Sequence, residues 1–189
     1  MSELLIASAN QHKIEEIKSI LSELDVSVLS INDLESIPEE PEEDGGSFVS
    51  NARIKALAYG TNFDGWVLSD DSGIVVPALK GEPGIFSARY AGENATDADN
   101  RKLLQSKIKE LGKGPLNAYF VCSLCLKKPG SESTINFEAY WRGQVIGKDK
   151  GKEGFGYDSM FLPNDFNGTA AEMSSEQKNE QSHRGLALK

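Results

Sequence analysis

Two adjacent carboxylates, Asp70 and Asp71, stand between apolar runs of strand-like composition, Trp66-Val67-Leu68 before them and Ile74-Val75-Val76 after. That pattern predicts the acids at the mouth of a sheet, where charge persists only if a cation, a metal or several donors compensate it. Hard oxygen ligands of this kind suit Mg²⁺, which keeps its waters and bridges substrate phosphates. Asp-Asp-Ser-Gly is also good turn chemistry, and a plain hairpin turn stays open as the alternative. Upstream, Ile31 to Gly46 carries Asp33, Glu35, Glu39, Glu40, Glu42, Glu43 and Asp44 with prolines at 38 and 41. Such a charge run is ordinarily a solvated loop, although one or two of its carboxylates can reach a metal because it leads through Gly45-Gly46 straight into a helix.

Three further groups have chemistry to offer. Ser8-Ala9-Asn10 joins the short apolar run Leu4–Ala7 to a helix, and Lys13 falls in its first turn, where a cation opposes the macrodipole unless an anion is near. Phosphate is one such anion; a simple cap by Asn10 or Ser8, with Lys13 in water, is the other reading. Gly147 to Gly156 is glycine-rich and basic but is no Walker A, since only three residues separate Gly147 from Gly151 and Glu153 follows Lys152. Its end, Phe155-Gly156-Tyr157-Asp158, sets aromatic faces beside a carboxylate, suited to stacking a base and accepting from its N–H groups, or else to filling a core. Finally, Lys178 and Ser182 share a helical face and His183-Arg184-Gly185 interrupts the helix pattern with donors, where an amphipathic tail helix is the ordinary explanation.

The elements that must position these groups follow from periodicity. Ile14, Ile17, Ile20, Leu21 and Leu24 keep helical spacing after the first strand, and Val26–Leu29 reads as a second strand. A helix from Phe48 to about Tyr59, capped by Ser47 and stopped by Gly60, brings Asn51 and Lys55 onto one face. Thr96 and Asp99 make a capping box for a scaffold helix with Leu103, Leu104, Ile108 and Leu111 inward and Gly112 at its end. Two long strands, Leu116 to Lys127 and Ser133 to Arg142, are joined at Lys128-Pro129-Gly130, and Ser174 with Gln177 opens the last helical segment. A chain of 189 residues with 39% hydrophobic content and no linker is expected to be one domain spanning 1–189. The formal charge of −9 argues against a nucleic acid partner, and the absence of a long apolar run or leader-like start argues against a membrane, so a cytoplasmic place of work is expected. Cys122 and Cys125 lie three apart on a predicted strand, on opposite faces, and are read as reduced apolar fillers rather than a redox or zinc pair.

Four blocks taken together resemble the inosine triphosphate pyrophosphatase family, which hydrolyses non-standard purine nucleoside triphosphates. They are Ala7-Ser8-Ala9-Asn10-Gln11-His12-Lys13; Glu42-Glu43-Asp44-Gly45 through Asn51-Ala52; Asp70-Asp71-Ser72-Gly73 through Pro83-Gly84-Ile85 and Ser87-Ala88-Arg89-Tyr90; and Gly154-Phe155-Gly156-Tyr157-Asp158 through Ala171-Glu172-Met173, Lys178-Asn179 and Ser182-His183-Arg184. The resemblance implies an elongated, two-lobed α/β fold with a central twisted mixed sheet flanked by helices, a homodimer, and a requirement for Mg²⁺. It implies Asp71 as catalytic base and metal ligand and Glu42 as the second metal carboxylate. Substrate contacts are implied for Ser8, Ala9, Asn10, Gln11, His12, Lys13, Lys55 and Ser72, and a base pocket for Phe155, Gly156, Tyr157, Asp158, Lys178, Ser182, His183 and Arg184. The expected reaction releases pyrophosphate from ITP, dITP or XTP, with Arg184 or Lys178 donating to the C6 oxygen that adenine lacks. A binding protein without catalysis, and a Maf-type pyrophosphatase acting on modified pyrimidines, are the competing expectations. Two departures from the family pattern stand out. Ser159 follows Asp158 where a proline is usual, which is expected to loosen that turn, and the chain stops at Leu188-Lys189 where relatives commonly continue their last helix.

Overall fold

The computed structural model describes residues 3–36, 39–112 and 114–189, so Pro38 of the acidic run lies outside the described residues. Strands β1 (Glu3–Ala7), β2 (Ser27–Ser30), β3 (Trp66–Val75), β4 (Leu116–Lys127), β5 (Thr134–Val145) and β6 (Phe161–Pro163) form one sheet in the order β2-β1-β3-β4-β5-β6. β1 runs parallel to both β2 and β3, whereas β5 and β6 pair antiparallel through Gly143–Val145, so the sheet is mixed. The helices are α1 (Gln11–Ile20), α2 (Phe48–Tyr59), α3 (Asp97–Glu110), α4 (Ser175–Gln181) and α5 (His183–Ala187). The chain divides into two compact units, Met1–Asp71 with Cys122–Ala139 and Ala187–Lys189, and Ser72–Val121 with Tyr140–Leu186.

In the first unit the period of two along the strands decides which helix each side chain meets. Ile6, Leu68, Cys122 and Leu124 pack with Ile14 and Ile17 of α1. Their neighbours of opposite parity, Leu5, Ala7 and Val67, pack with Tyr59 of α2, and Cys125 lies against Ala52 and Ala56 of the same helix. The two thiols are therefore buried, free and in separate clusters, as the strand pattern predicts. In the second unit, Leu104 and Ile108 of α3 pack with Ile74, Val76, Phe120, Trp141, Met160 and Phe161 in one apolar cluster.

One open alternative closes and two expectations change. Asp-Asp-Ser-Gly is not a turn: β3 continues through it from Trp66 to Val75, with Asp70 fully buried and Asp71 nearly so. Gly73 allows this because a Cβ there would collide with the Ser87 hydroxyl and the Gly84 carbonyl. α1 stops at Ile20 and tightens into a 3₁₀ turn over Leu21–Glu23, which takes Leu24 out of the helical register and leaves it 58% exposed. Leu111 falls past the last turn of α3, beside Gly112 at φ +61°, and is likewise exposed. The remaining capped helices stand where their caps predicted, with Ser47, Thr96 and Ser174 each accepting from the backbone N–H three residues on.

Candidate active site

The first unit concentrates charge around the paired acids of β3. Adjacent strand residues point to opposite faces, so Asp70 meets the α1 side and Asp71 the α2 side. Lys13 Nζ lies 2.6 Å from Asp70 Oδ1, and the Cys122 thiol lies 3.2 Å from Asp70 Oδ2. The anion that the first-turn lysine calls for is thus a buried carboxylate. Asn10 caps α1 by accepting from Lys13 N at 3.2 Å, and the buried Ser8 hydroxyl accepts from Asn10 N at 3.2 Å. Ala9, Asn10, Gln11 and His12 are exposed, with Gln11 Nε2 donating to Glu15.

On the other face, Asn51 and Lys55, one turn apart on α2, both address Asp71. Asn51 Nδ2 donates to Asp71 Oδ2 at 3.1 Å, Lys55 Nζ lies 3.3 Å from Asp71 Oδ1, and the same ammonium sits 2.6 Å from Glu43 Oε1. Asn51 Oδ1 also accepts from Gly45 N at 3.0 Å, which ties the end of the acidic run to the helix. Burial pushes the Asp71 carboxyl above the usual carboxylate range, even though the Lys55 and Lys13 cations pull it back. For Lys55 burial acts to lower the pKa, but Asp71 and Glu43 outweigh it and hold the ammonium above its ordinary value. Of the two adjacent glutamates, Glu43 enters this network while Glu42 is exposed.

The second unit gathers donors around an aromatic ring. Gly154, at φ +72°, leaves no room for a Cβ beside the Asp158 carboxylate, which accepts from Phe155 N at 2.9 Å and from Lys178 Nζ at 2.6 Å. Lys178 Nζ stands 4.9 Å from the Phe155 ring centre and Arg184 Cζ 5.9 Å, so two cations lie against one aromatic ring. Arg184 is 1% exposed, and its Nη2 donates to Ser72 Oγ at 3.0 Å. Three predicted pocket residues have other visible commitments. Tyr157 is packed in the core and donates its hydroxyl to the Ser87 carbonyl at 2.8 Å; Ser182 accepts from Gly185 N at 3.1 Å and so starts α5; His183 is stacked 4.8 Å from the Phe120 ring. Gly156 bonds through its backbone to α3, its N–H to Asp97 Oδ2 at 2.7 Å and its carbonyl to Arg101 Nη1 at 2.8 Å.

The family model described as Ham1 family matches residues 4–189. The chain belongs to the Ham1 family. A relative named dITP/XTP pyrophosphatase from Exiguobacterium sibiricum is 42% identical over 98% of this chain and 93% of its own length. Another of that name, from Streptococcus thermophilus, is 43% identical over 98% of this chain, which spans only 57% of that longer protein. Among solved Ham1 structures, one from Coxiella burnetii superposes with a TM-score of 0.88 at 34% identity, covering 100% of this chain and 95% of that one. The Staphylococcus aureus Ham1 protein gives 0.83 at 40% identity, covering 98% of this chain and 94% of that one. In this fold Asp70 and Asp71 lie within β3 and not at its mouth, Ser182 ends α4, and His183 and Arg184 open a further helix, α5, where the sequence pattern suggests an interruption.

Sequence reasoning passed over Glu43 as the glutamate in contact with Lys55, and Asp97 and Arg101 as partners of the aromatic loop. Spacing signals the second pair: Asp97 and Arg101 lie four apart at the start of a capped helix, and therefore on one face. No comparable signal separates Glu43 from Glu42.

Proposed function

We propose that this chain hydrolyses non-standard purine nucleoside triphosphates such as dITP, XTP and ITP to the monophosphate and pyrophosphate. The reading is carried by one observation: a buried carboxylate, Asp71, gripped by Lys55 and Asn51 in a chain whose relatives bear the name dITP/XTP pyrophosphatase. Asp71 is the base. Its raised proton affinity suits it to take a proton from the attacking water at a carboxylate oxygen, while Asn51 and Lys55 hold its orientation. Lys13, paired with Asp70 at the start of α1, offers its ammonium to the polyphosphate alongside the Ser8 hydroxyl and the exposed Ala9–His12 segment. Base choice rests on Lys178 and Arg184, which can only donate and so favour an oxygen at C6 over the amino group of adenine, with Phe155 as the stacking face.

Mg²⁺ belongs to the same proposal. Among the described residues no group of three or more His, Cys, Asp or Glu side chains is arranged to hold a metal. What the first unit offers is hard carboxylate oxygen at Asp71, with Glu42 exposed on the adjacent segment, and an ion that keeps its waters and takes its other ligands from phosphate needs no more than that. The excess proton affinity of buried Asp71 also marks a place where added positive charge is welcome. Bound there, the ion would supply neutralisation of charge on the phosphate oxygens.

A homodimer is part of the reading as well. Ile135 and Phe137, two apart on β5 and so on one face, are 42% and 46% exposed, and exposed apolar side chains of that kind favour a second copy. The cytoplasm, where nucleotide pools turn over, is the proposed place of work; no described helix is long and apolar enough to cross a membrane. The test is pyrophosphate release from ITP, XTP, dITP, GTP and ATP with Mg²⁺ and with chelator. Release from ITP, XTP and dITP far ahead of ATP, lost on chelation, supports the proposal. Equal turnover of ATP, or none of any purine triphosphate, overturns it.

A further inference from the structure

The loop that presents Phe155 and Asp158 is gripped at a single residue, Gly156, through both of the peptide groups that flank it. Gly156 sits at φ +59° with nothing within 4 Å of where a Cβ would stand, so its glycine answers a backbone need and not a lack of room. Left to itself, such a residue has the widest conformational freedom in the chain. Here its N–H donates to Asp97 Oδ2 at 2.7 Å and its carbonyl accepts from Arg101 Nη1 at 2.8 Å, two side chains from one face of α3. The grip is closed from behind. Arg101 Nε lies 2.8 Å from Asp149 Oδ1, as an ion pair and not an aligned hydrogen bond. Asp149 in turn accepts from Gln105 Nε2 at 3.0 Å and from the hydroxyl of Ser159, the residue after Asp158. The loop is thereby clamped at Gly156 and at Ser159, on either side of Asp158.

We propose that Arg101 and Asp149, with Asp97 and Ser159, are positioning residues for purine recognition: they fix the separation of the Phe155 ring from the Asp158 carboxylate and the Lys178 ammonium bonded to it. The inference rests on the purine triphosphate reading and deepens it. The clamp also answers the expected loosening at Ser159, because the hydroxyl that replaces a rigid ring is itself tied to Asp149. Phe155 N donates to Asp158 Oδ2 across the clamped glycine, so freeing Gly156 lets the ring and the acid drift together or apart. Asp71 and its partners belong to the other unit and take no part in the clamp, so the loss falls on base binding and base choice and not on the hydrolytic step.

The experiment compares wild type with Arg101→Ala, Asp149→Ala and Asp149→Asn, measuring KM and kcat for ITP and the ITP-to-ATP ratio of kcat/KM. Each alanine variant is expected to raise KM for ITP roughly ten-fold, the loss of one charge-assisted hydrogen bond, with kcat within about two-fold. The ITP-to-ATP ratio should fall by a similar factor. Asp149→Asn keeps an acceptor oxygen for Ser159 but gives up the charge that pairs with Arg101, so its KM should fall between wild type and Asp149→Ala, a graded recovery that separates the Ser159 tie from the ion pair; an Asn variant no better than Ala removes Ser159 from the clamp. Combining Arg101→Ala with Asp149→Ala should cost little more than either alone, as members of one network do. Alanine variants with wild-type KM and ratio, or with kcat falling as much as KM rises, overturn the inference while an active wild type leaves the substrate reading intact. A wild type that releases no pyrophosphate from ITP overturns the substrate reading and this inference together.

Discussion

Replacing Lys178 by Met removes the cation closest to Asp158 while keeping the length of the side chain. The ammonium lies 2.6 Å from Asp158 Oδ2, with the two side chains 8% and 5% exposed. At an effective dielectric of about 20 that separation corresponds to roughly 6 kcal/mol of gross attraction, much of it spent on desolvating both groups. Truncating one partner leaves the other charge buried, and the expected loss of stability is about 3–5 kcal/mol at neutral pH. With a urea slope of about 2 kcal/mol per molar, the unfolding midpoint should fall by roughly 1.5–2.5 M. Making Asp158 neutral as well removes the buried charge that the truncation leaves behind. Adding Asp158→Asn to Lys178→Met should recover about half of the loss or more for the same reason. Two results would refute the reasoning: a loss under about 1 kcal/mol for Lys178→Met, or a double variant as unstable as the sum of the singles.

Asp71→Asn should lower kcat by about 10³-fold or more while calorimetry still detects nucleotide binding; turnover within ten-fold of wild type removes Asp71 from the mechanism. Leu104→Ala, at a fully buried site on α3, should cost about 2–5 kcal/mol in urea unfolding, whereas Leu111→Ala, exposed beyond the same helix, should stay within about 0.5 kcal/mol, and equal effects would contradict the assigned end of α3. The Asp99 carboxyl is held below its ordinary value by the Thr96 hydroxyl and N–H, and Glu172 by Thr169 N and Lys150. A depressed carboxylate contributes stability above its unfolded pKa and loses it as pH falls through the folded one. Urea midpoints should therefore decline on acidification below about pH 4, and Asp99→Asn should flatten that decline; an identical slope in the variant counts against the cap. The two thiols, buried in separate clusters, should react with a thiol reagent only after denaturant is added, and rapid native labelling would contradict their burial.

Local signals carried most of the scaffold into view from sequence. Caps at Ser47, Thr96 and Ser174, stops at Gly60 and Gly112, and strand alternation at Cys122 and Cys125 depend on neighbours a few residues away. Local preference misleads where a distant contact outvotes it. Asp-Asp-Ser-Gly favours a turn until Lys13, Asn51 and Lys55 supply compensation that only the assembled unit brings together. Leu24 obeys a helical period that the chain abandons one turn earlier. β6, only Phe161–Pro163, is too short to announce itself and exists through its pairing with β5. At the site, residue types were legible and partners were not. Glu42 and Glu43 are alike in chemistry, and the path of the backbone around Gly45 alone determines which of them reaches Lys55.

The placement of Asp70 and Asp71 as consecutive members of one strand makes the pairing frame of β3 a chemical variable. Ile6 opposite Leu68 and Ala7 opposite Ser69 fix which acid looks toward each helix. Slide that frame by a single position, as deletion of Val67 would invite, and all the motifs survive in the primary structure while the two acids trade faces. Asp71 would then confront Lys13 and the apolar bed of α1, and Asn51 and Lys55 would face Ser72 or Asp70 instead. An insertion or deletion far from any reactive atom, between Trp66 and Leu68, should thus be as damaging to turnover as removal of the base itself.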